Sequence, residues 1–189
     1  MQTKPTLLLH SCCAPCSSSV LERLCQNFDV TVLYYNPNIY PKQEYDRRLQ
    51  EQKTFLKKIG IKMIEGEYNE TEYLAAISGK EHLPEKSSRC FCCYQFRLAK
   101  TAEFAQKLGF DFFTTTLSVS PHKNSAVINE VGRKVAQEEG VRFLEESFKK
   151  KDGYLNSIKL AKKYDLYRQN YCGCRFSLRK EDLNGKEDK

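Results

Sequence analysis

The chain lacks any long apolar stretch: near its start only the three leucines Leu7, Leu8 and Leu9 stand in a row. A membrane-spanning helix needs about 20 apolar residues, and a secretory signal needs an apolar segment longer than three. A membrane or exported protein is therefore not expected, and a soluble cytoplasmic one is. The sequence also lacks a G-x-G-x-x-G or Walker pattern, so nucleotide hydrolysis on a glycine-rich phosphate loop is not expected either. No repeat is visible, and no linker rich in Gly, Pro or Ser divides the 189 residues. One α/β metalloenzyme domain over residues 1–178 is expected, followed by a charged tail, residues 179–189, too poor in apolar side chains to pack. With 40% hydrophobic and 12% aromatic residues the chain can build a sizeable core.

Cysteine is abundant. There are nine, and eight fall in three clusters: Cys12, Cys13 and Cys16 in HSCCAPC, Cys90, Cys92 and Cys93 in RCFCCY, and Cys172 and Cys174 in YCGC. A chain that uses cysteine only as a small core residue scatters it singly, as at Cys25, whereas ligands of a soft metal converge from separate segments. In a reducing compartment clustered thiols serve as metal ligands or redox catalysts rather than structural bridges, and an odd total agrees. The formal charge of +7 suits a polyanionic partner such as RNA, although many basic proteins have none.

The clusters can be placed on a scaffold from periodicity. Thr6 to His10 reads as a strand, residues 17–25 as a helix, residues 30–35 as a second strand, Lys42–Ile59 as a long helix and residues 61–64 as a third strand. A helical stretch at residues 71–78 and a polar loop, residues 79–89, lead to a helix with Tyr94, Leu98, Ala102, Ala105 and Leu108 as its apolar stripe. Residues 110–117 and 141–144 read as strands flanking a helix capped by Asn124 or Ser125. This alternation predicts an α/β fold, a mostly parallel sheet in a three-layer, Rossmann-like sandwich of the HUP type. The cysteine loops then sit beyond the carboxyl ends of the strands, where such sheets bind ligands.

Cys90 and Cys93 lie one helical turn apart and can reach one metal centre. The adjacent pair Cys12 and Cys13 is less suited to sharing a single ion, but each can take a separate corner of a larger cluster. Together the four would complete the thiolate set of a [4Fe-4S] centre; a structural zinc on four cysteines is the alternative. Cys16, near a helix N-terminus, is expected to have a depressed pKa and is either a ligand, a reactive thiol or a packed residue. Cys92 is expected to point away as a buried thiol. Cys172 and Cys174, one glycine apart, can close a strained and labile disulfide, or hold a second metal ion.

Taken together, HSCCAPC, RCFCCYQFRL and YRQNYCGCRFS, with YNPNIYP and TTLSVSPHKN between them, resemble the epoxyqueuosine reductases of the QueH type, from Leu7 to Ser177. The resemblance implies reduction of epoxyqueuosine to queuosine in tRNA, the last step in making that wobble base, with an iron-sulfur cluster and without cobalamin. It implies Cys12, Cys13, Cys90 and Cys93 as [4Fe-4S] ligands, Cys172 with Cys174 as the redox-active pair, and an additional iron ion beside the cluster. The partners implied are tRNA carrying epoxyqueuosine at the wobble position and an electron donor the sequence does not identify.

Opening the epoxide to an alkene takes two electrons and two protons. An iron site acting as Lewis acid, a cluster delivering electrons and the Cys172/Cys174 pair meet that need. His10 and His122 are the candidate proton carriers, each with a plain alternative as a backbone-bonded or solvated residue. Tyr34, Tyr35, Tyr40, Tyr94 and Tyr171 are candidates to stack on an extruded base. Arg47, Arg48, Lys86, Arg89, Arg97, Lys123, Arg168, Arg175 and Lys180 are candidates to hold an anticodon stem-loop. The competing readings are a zinc-stabilised tRNA-binding module without catalysis, a tRNA sulfur-transfer enzyme and a general thiol-disulfide oxidoreductase.

Overall fold

In the computed structural model residues 3–178 are described; the charged tail, with Lys180, lies outside them. Leu7, Leu8 and Leu9 have no exposed surface, because β1 (Thr6–His10) is the central strand of a parallel sheet covered on both faces. Then come α1 (Ala14–Leu24), β2 (Asp29–Tyr34), α2 (Lys42–Ile59), β3 (Lys62–Glu65), α3 (Glu70–Ala76), α4 (Ser88–Lys107), β4 (Phe112–Thr115), α5 (Ser125–Glu139), β5 (Arg142–Phe143) and α6 (Gly153–Tyr164). The sheet order is β3-β2-β1-β4-β5, and every pairing is parallel.

Each crossover carries its helix to one face. Leu7, Leu9, Val30 and Val32 pack against Val20, Leu21 and Leu24 of α1 and Phe55 and Leu56 of α2. On the other face Leu8, Leu33 and Phe113 meet Leu98, Ala102 and Ala105 of α4 and Ile128, Val131 and Val135 of α5. Burying one such side chain contributes about 1.5–3 kcal/mol; Leu8→Ala, at the centre, would cost about 2–5 kcal/mol. Asn124 caps α5, its Oδ1 accepting from the Ala126 amide at 2.9 Å. Gly60 ends α2 in the left-handed conformation, φ +73°.

Three elements differ from the sequence expectation. The strand expected over residues 110–117 stops at Thr115, whose Oγ1 accepts from the Leu117 amide and turns residues Thr116–Val119 into a 3-10 helix. Leu108 is 53% exposed, because it sits at the C-cap of α4, past the packed stripe. Helix α6 was not anticipated; it packs beside α1 through Ser157, Leu160 and Ala161. The order of the strands reverses between β1 and β4, so the loops leaving these two strands diverge and open a crevice.

Candidate metal centre and redox site

The loop after β1 is pinned before its cysteines begin. The Ser11 amide extends the β1/β2 pairing by donating to Leu33 O at 2.9 Å. Asn36 Nδ2 donates to Ser11 O, and Ser11 Oγ donates to Gln52 Oε1 of α2. Cys13 is the N-cap of α1, in extended backbone, so the chain changes from strand to helix there. That change of direction brings the sulfurs of Cys12, Cys13 and Cys16 within 4.8 Å of one another, with Cys12 and Cys13 at 3.9 Å.

Adjacent cysteines were expected to diverge; here they converge, and Cys16 joins them from the first turn of the helix. The expected depression of the pKa falls on Cys12 instead. Hydrogen bonds from Cys13 and Cys16 hold Cys12 well below the usual thiol range, and those same bonds push Cys13 and Cys16 up. The trio is a ready set of soft donors for a metal.

The second cluster enters at the start of α4. The Lys86 amide donates to Cys90 Sγ at 3.3 Å, and Cys90 and Cys93, one turn apart, both line a cavity that Cys12 also lines. Burial pushes Cys93 up to about 11. Cys92 is not on that wall; it packs beside Tyr73 and Ile77.

The C-G-C motif lies on an irregular strap, residues 166–178, held from the opposite end of the sequence. Arg48, 1% exposed and bonded through Nε to Glu44 at 2.6 Å, donates to the carbonyls of Tyr171 and Cys172. Tyr167 Oη donates to Glu44, the Tyr40 amide to Gly173 O at 2.8 Å, and Gln169 Nε2 to Cys13 Sγ at 3.0 Å. Ile39 and Cys174 form an antiparallel bridge. Cys174, 4% exposed, receives a hydrogen bond from Arg89 Nη1 at 3.0 Å and lies 3.1 Å from Tyr73 Oη. Burial raises the Cys174 pKa.

These segments enclose one cavity of about 60 Å³, lined by Cys12, Cys90, Cys93, Cys172 and Cys174 together with Arg89 and Arg97. That exceeds the roughly 10–15 Å³ a single water needs. Cys12 and Cys172 also line a wider neighbouring cavity of about 550 Å³, whose wall includes His122, Lys123, Arg168 and Tyr171. Arg89 and Arg97 are 2% and 3% exposed, and neither pairs with a carboxylate among the described residues. A buried guanidinium requires an anionic or hydrogen-bonding partner. Five of the cavity's lining groups are cysteines, and with Lys86 and Lys123 beside the two guanidiniums its cations outnumber its one carboxylate, Glu85, so the site suits a bound group of net negative charge.

Several expected roles are revised by this geometry. His10 has no exposed surface; Nδ1 pairs with Thr115 Oγ1 at 2.9 Å and Nε2 with Tyr35 O at 3.2 Å. Burial, with Arg97 nearby, lowers its pKa to about 4. A neutral imidazole with both nitrogens engaged ties β1 to β4, the hydrogen-bonded alternative to a proton carrier. His122 is exposed and borders both cavities.

Of the basic residues expected to meet RNA, Arg48, Arg89 and Arg97 are buried. Arg47 stacks on the Tyr167 ring at 3.6 Å, and Arg175 lies over Tyr40 and pairs with Glu70. Lys86, Lys123 and Arg168 remain on cavity walls, joined by Lys149. Tyr34 and Tyr35 are buried in the core, whereas Tyr94 and Tyr171 border cavities.

A family model described as epoxyqueuosine reductase QueH matches residues 7–180. The chain is 41% identical over 187 residues to the epoxyqueuosine reductase QueH of Streptococcus pyogenes, covering 96% of this chain and 73% of that protein. It is 40% identical over 192 residues to the protein of the same name from Staphylococcus epidermidis, covering 97% and 81%. With that from Thermotoga maritima it shares 37% identity over 176 residues, covering 92% and 90%.

Proposed function

The chain belongs to the epoxyqueuosine reductase QueH family, and from that premise we propose that it is an oxidoreductase reducing epoxyqueuosine to queuosine in tRNA. The observation that carries the reading is the cavity on which Cys12, Cys90, Cys93, Cys172 and Cys174 meet from three separate segments. The donor set and the two buried guanidiniums fit an anionic metal-thiolate group. Cys12, Cys13, Cys90 and Cys93 would hold a [4Fe-4S] cluster, and Cys16 offers one sulfur beyond that quartet, toward an additional iron ion. When bound, such a cluster supplies electrons one at a time from an external donor; cobalamin has no part in the reading.

The residues of the chain do the rest. Cys172 lines both the smaller cavity and the wider one, where an extruded nucleoside would enter, and Cys174 lines the smaller one. The two thiols together carry the two electrons and two protons that the reaction consumes: epoxide plus dithiol gives alkene, disulfide and water. His122, at the mouth, is the titratable side chain placed to exchange protons with solvent. Lys86, Lys123, Lys149 and Arg168 are the cations left to meet phosphates. No helix among the described residues is long and apolar enough to cross a membrane; a cytoplasmic setting shared with tRNA is part of the same proposal.

Anaerobic purification followed by iron, sulfide and zinc analysis, and conversion of epoxyqueuosine tRNA, tests the reading. Iron and sulfide with turnover are expected. Colourless protein with zinc and no turnover would replace it with a zinc-stabilised RNA-binding module. Cys174→Ser should abolish turnover and keep the brown chromophore; loss of the chromophore would make Cys174 a ligand instead.

A further inference from the structure

Two buried polar groups on the thiol-lined cavity have no hydrogen-bond partner among the described residues. Arg89 donates from Nε to Leu83 O at 3.0 Å and from Nη1 to Cys174 Sγ at 3.0 Å, while its Nη2 is buried and unpaired. Asn38, 3% exposed, lines the same cavity with its Oδ1 unpaired. Leaving a buried polar atom unsatisfied costs about 1–3 kcal/mol, and more when the group is charged. A native structure that keeps both a donor and an acceptor in this state, on one cavity, is arranged for a ligand that supplies the opposite pair.

Both groups belong to the surroundings of the C-G-C motif. Asn38 precedes Ile39, which pairs with Cys174, and Arg89 touches Cys174 directly. The guanidinium is planar and rigid, so what meets the Cys174 sulfur also comes within reach of Nη2. We infer that Arg89 Nη2 is the donor that receives the epoxide oxygen, and that Asn38 Oδ1 accepts from a hydroxyl of the same oxygenated ring.

This assignment rests on the reductase reading above. In the reaction both C–O bonds of the epoxide break and a C=C bond forms. The oxygen leaves as water with two protons, and the Cys172 and Cys174 thiols, oxidised to a disulfide, provide the electron pair; the external donor then reduces that disulfide. When the first C–O bond has broken, the oxygen carries negative charge. Arg89, which stays protonated at all working pH values, holds that charge by hydrogen bonding and is not the proton source.

The test uses anaerobically loaded enzyme and two tRNAs, one carrying epoxyqueuosine and one carrying queuosine. The wild-type protein should bind the epoxide form more tightly. Arg89→Gln should erase that preference, leave affinity for the queuosine tRNA unchanged, keep iron and sulfide content, and lower kcat about 10²–10³-fold. Arg89→Lys, which keeps the charge but not the fork, should recover part of the loss. Asn38→Leu, which leaves Arg89 in place, should weaken both tRNAs alike, because the hydroxyl is common to substrate and product.

Retention of the epoxide preference in both Arg89 variants overturns the inference. So does loss of iron and sulfide with the preference intact, which would assign Nη2 to the cluster. If either Arg89 variant fails to fold, an Asn38→Leu protein that binds each tRNA with its wild-type affinity overturns it. Wild-type enzyme that loads iron yet never converts the epoxide would sink the reductase reading itself, a result distinct from failure of the variants alone.

Discussion

Gly173→Ala should uncouple the redox motif from the rest of the site. Gly173 has φ +103°, outside the range that residues with a Cβ readily adopt, and an added Cβ would lie 2.9 Å from Ile39 Cγ1 and 3.1 Å from Arg48 Nη1. Neither neighbour can yield: Ile39 has no exposed surface, and Arg48 is tied to Glu44. The positive φ costs about 1–2 kcal/mol and the overpacking about 1–3 kcal/mol. The bonds docking this loop beside Gly173, one from the Tyr40 amide, two long ones from Arg48 and one from Arg89 to Cys174, are of comparable total size at the low end of about 0.5–3 kcal/mol each.

The strain is therefore relieved by undocking the loop rather than by unfolding the sheet. Strain and docking energy of similar size nearly cancel, so a loop almost wholly docked in the wild type is docked in about half of the variant molecules. Single-turnover conversion of epoxyqueuosine tRNA should fall about twofold or more, with Tm lowered by less than the roughly 6–12 °C that global loss of about 3 kcal/mol would give. Iodoacetamide should alkylate Cys174, shielded in the wild type, at a correspondingly higher rate. Wild-type turnover together with wild-type protection of Cys174 would refute the reasoning.

Arg48→Met leaves Glu44 without its buried partner and frees two strap carbonyls; a loss of about 3–5 kcal/mol is expected in denaturant unfolding, with partial recovery in the Arg48→Met/Glu44→Met double variant. Lys86→Gln should reduce the slope of log K against log salt for tRNA binding by about 0.7–0.9, measured by fluorescence titration, whereas Arg47→Gln, whose guanidinium stacks on Tyr167, should leave the slope unchanged. Asp111 accepts from the Thr6 amide and hydroxyl, which lowers its pKa below the usual carboxylate value. Its contribution is present above the unfolded-state pKa and lost as pH falls through the depressed folded value; carboxyl NMR titration of the wild type and a pH series of melts on Asp111→Asn check the direction.

The scaffold was legible because its signals are local. The leucines of β1 mark a strand buried on both faces, and the long helix has the same limits, Lys42–Ile59, in sequence and structure. Eight of the nine cysteines were set apart as site material, and five of them line one cavity, with Cys92 off its wall. What escaped depends on contacts far apart in the chain. Nothing near Arg48 announces that it will hold the carbonyl of Cys172, 124 positions away. Arg89 and Arg97 were read as surface cations because charge ordinarily stays in water; only the fold shows them among sulfurs. Cys16 was left without a role because helical geometry, not spacing to Cys12, decides which way it faces, and His10 was left between a proton carrier and a hydrogen-bonded strand end because its two ring partners, Thr115 and Tyr35, come from distant segments.

The strap follows all five strands in the chain, while the thiols of Cys12, Cys13, Cys16, Cys90 and Cys93 precede it. Segments synthesised first fold first. During synthesis the sheet and its sulfur-bearing loops can therefore form before the segment that roofs them. Docking of Gly173 and Gln169 then closes over the thiols like a latch. The order of residues along the chain sets an order of assembly: the thiol-bearing loops first, the strap across them last.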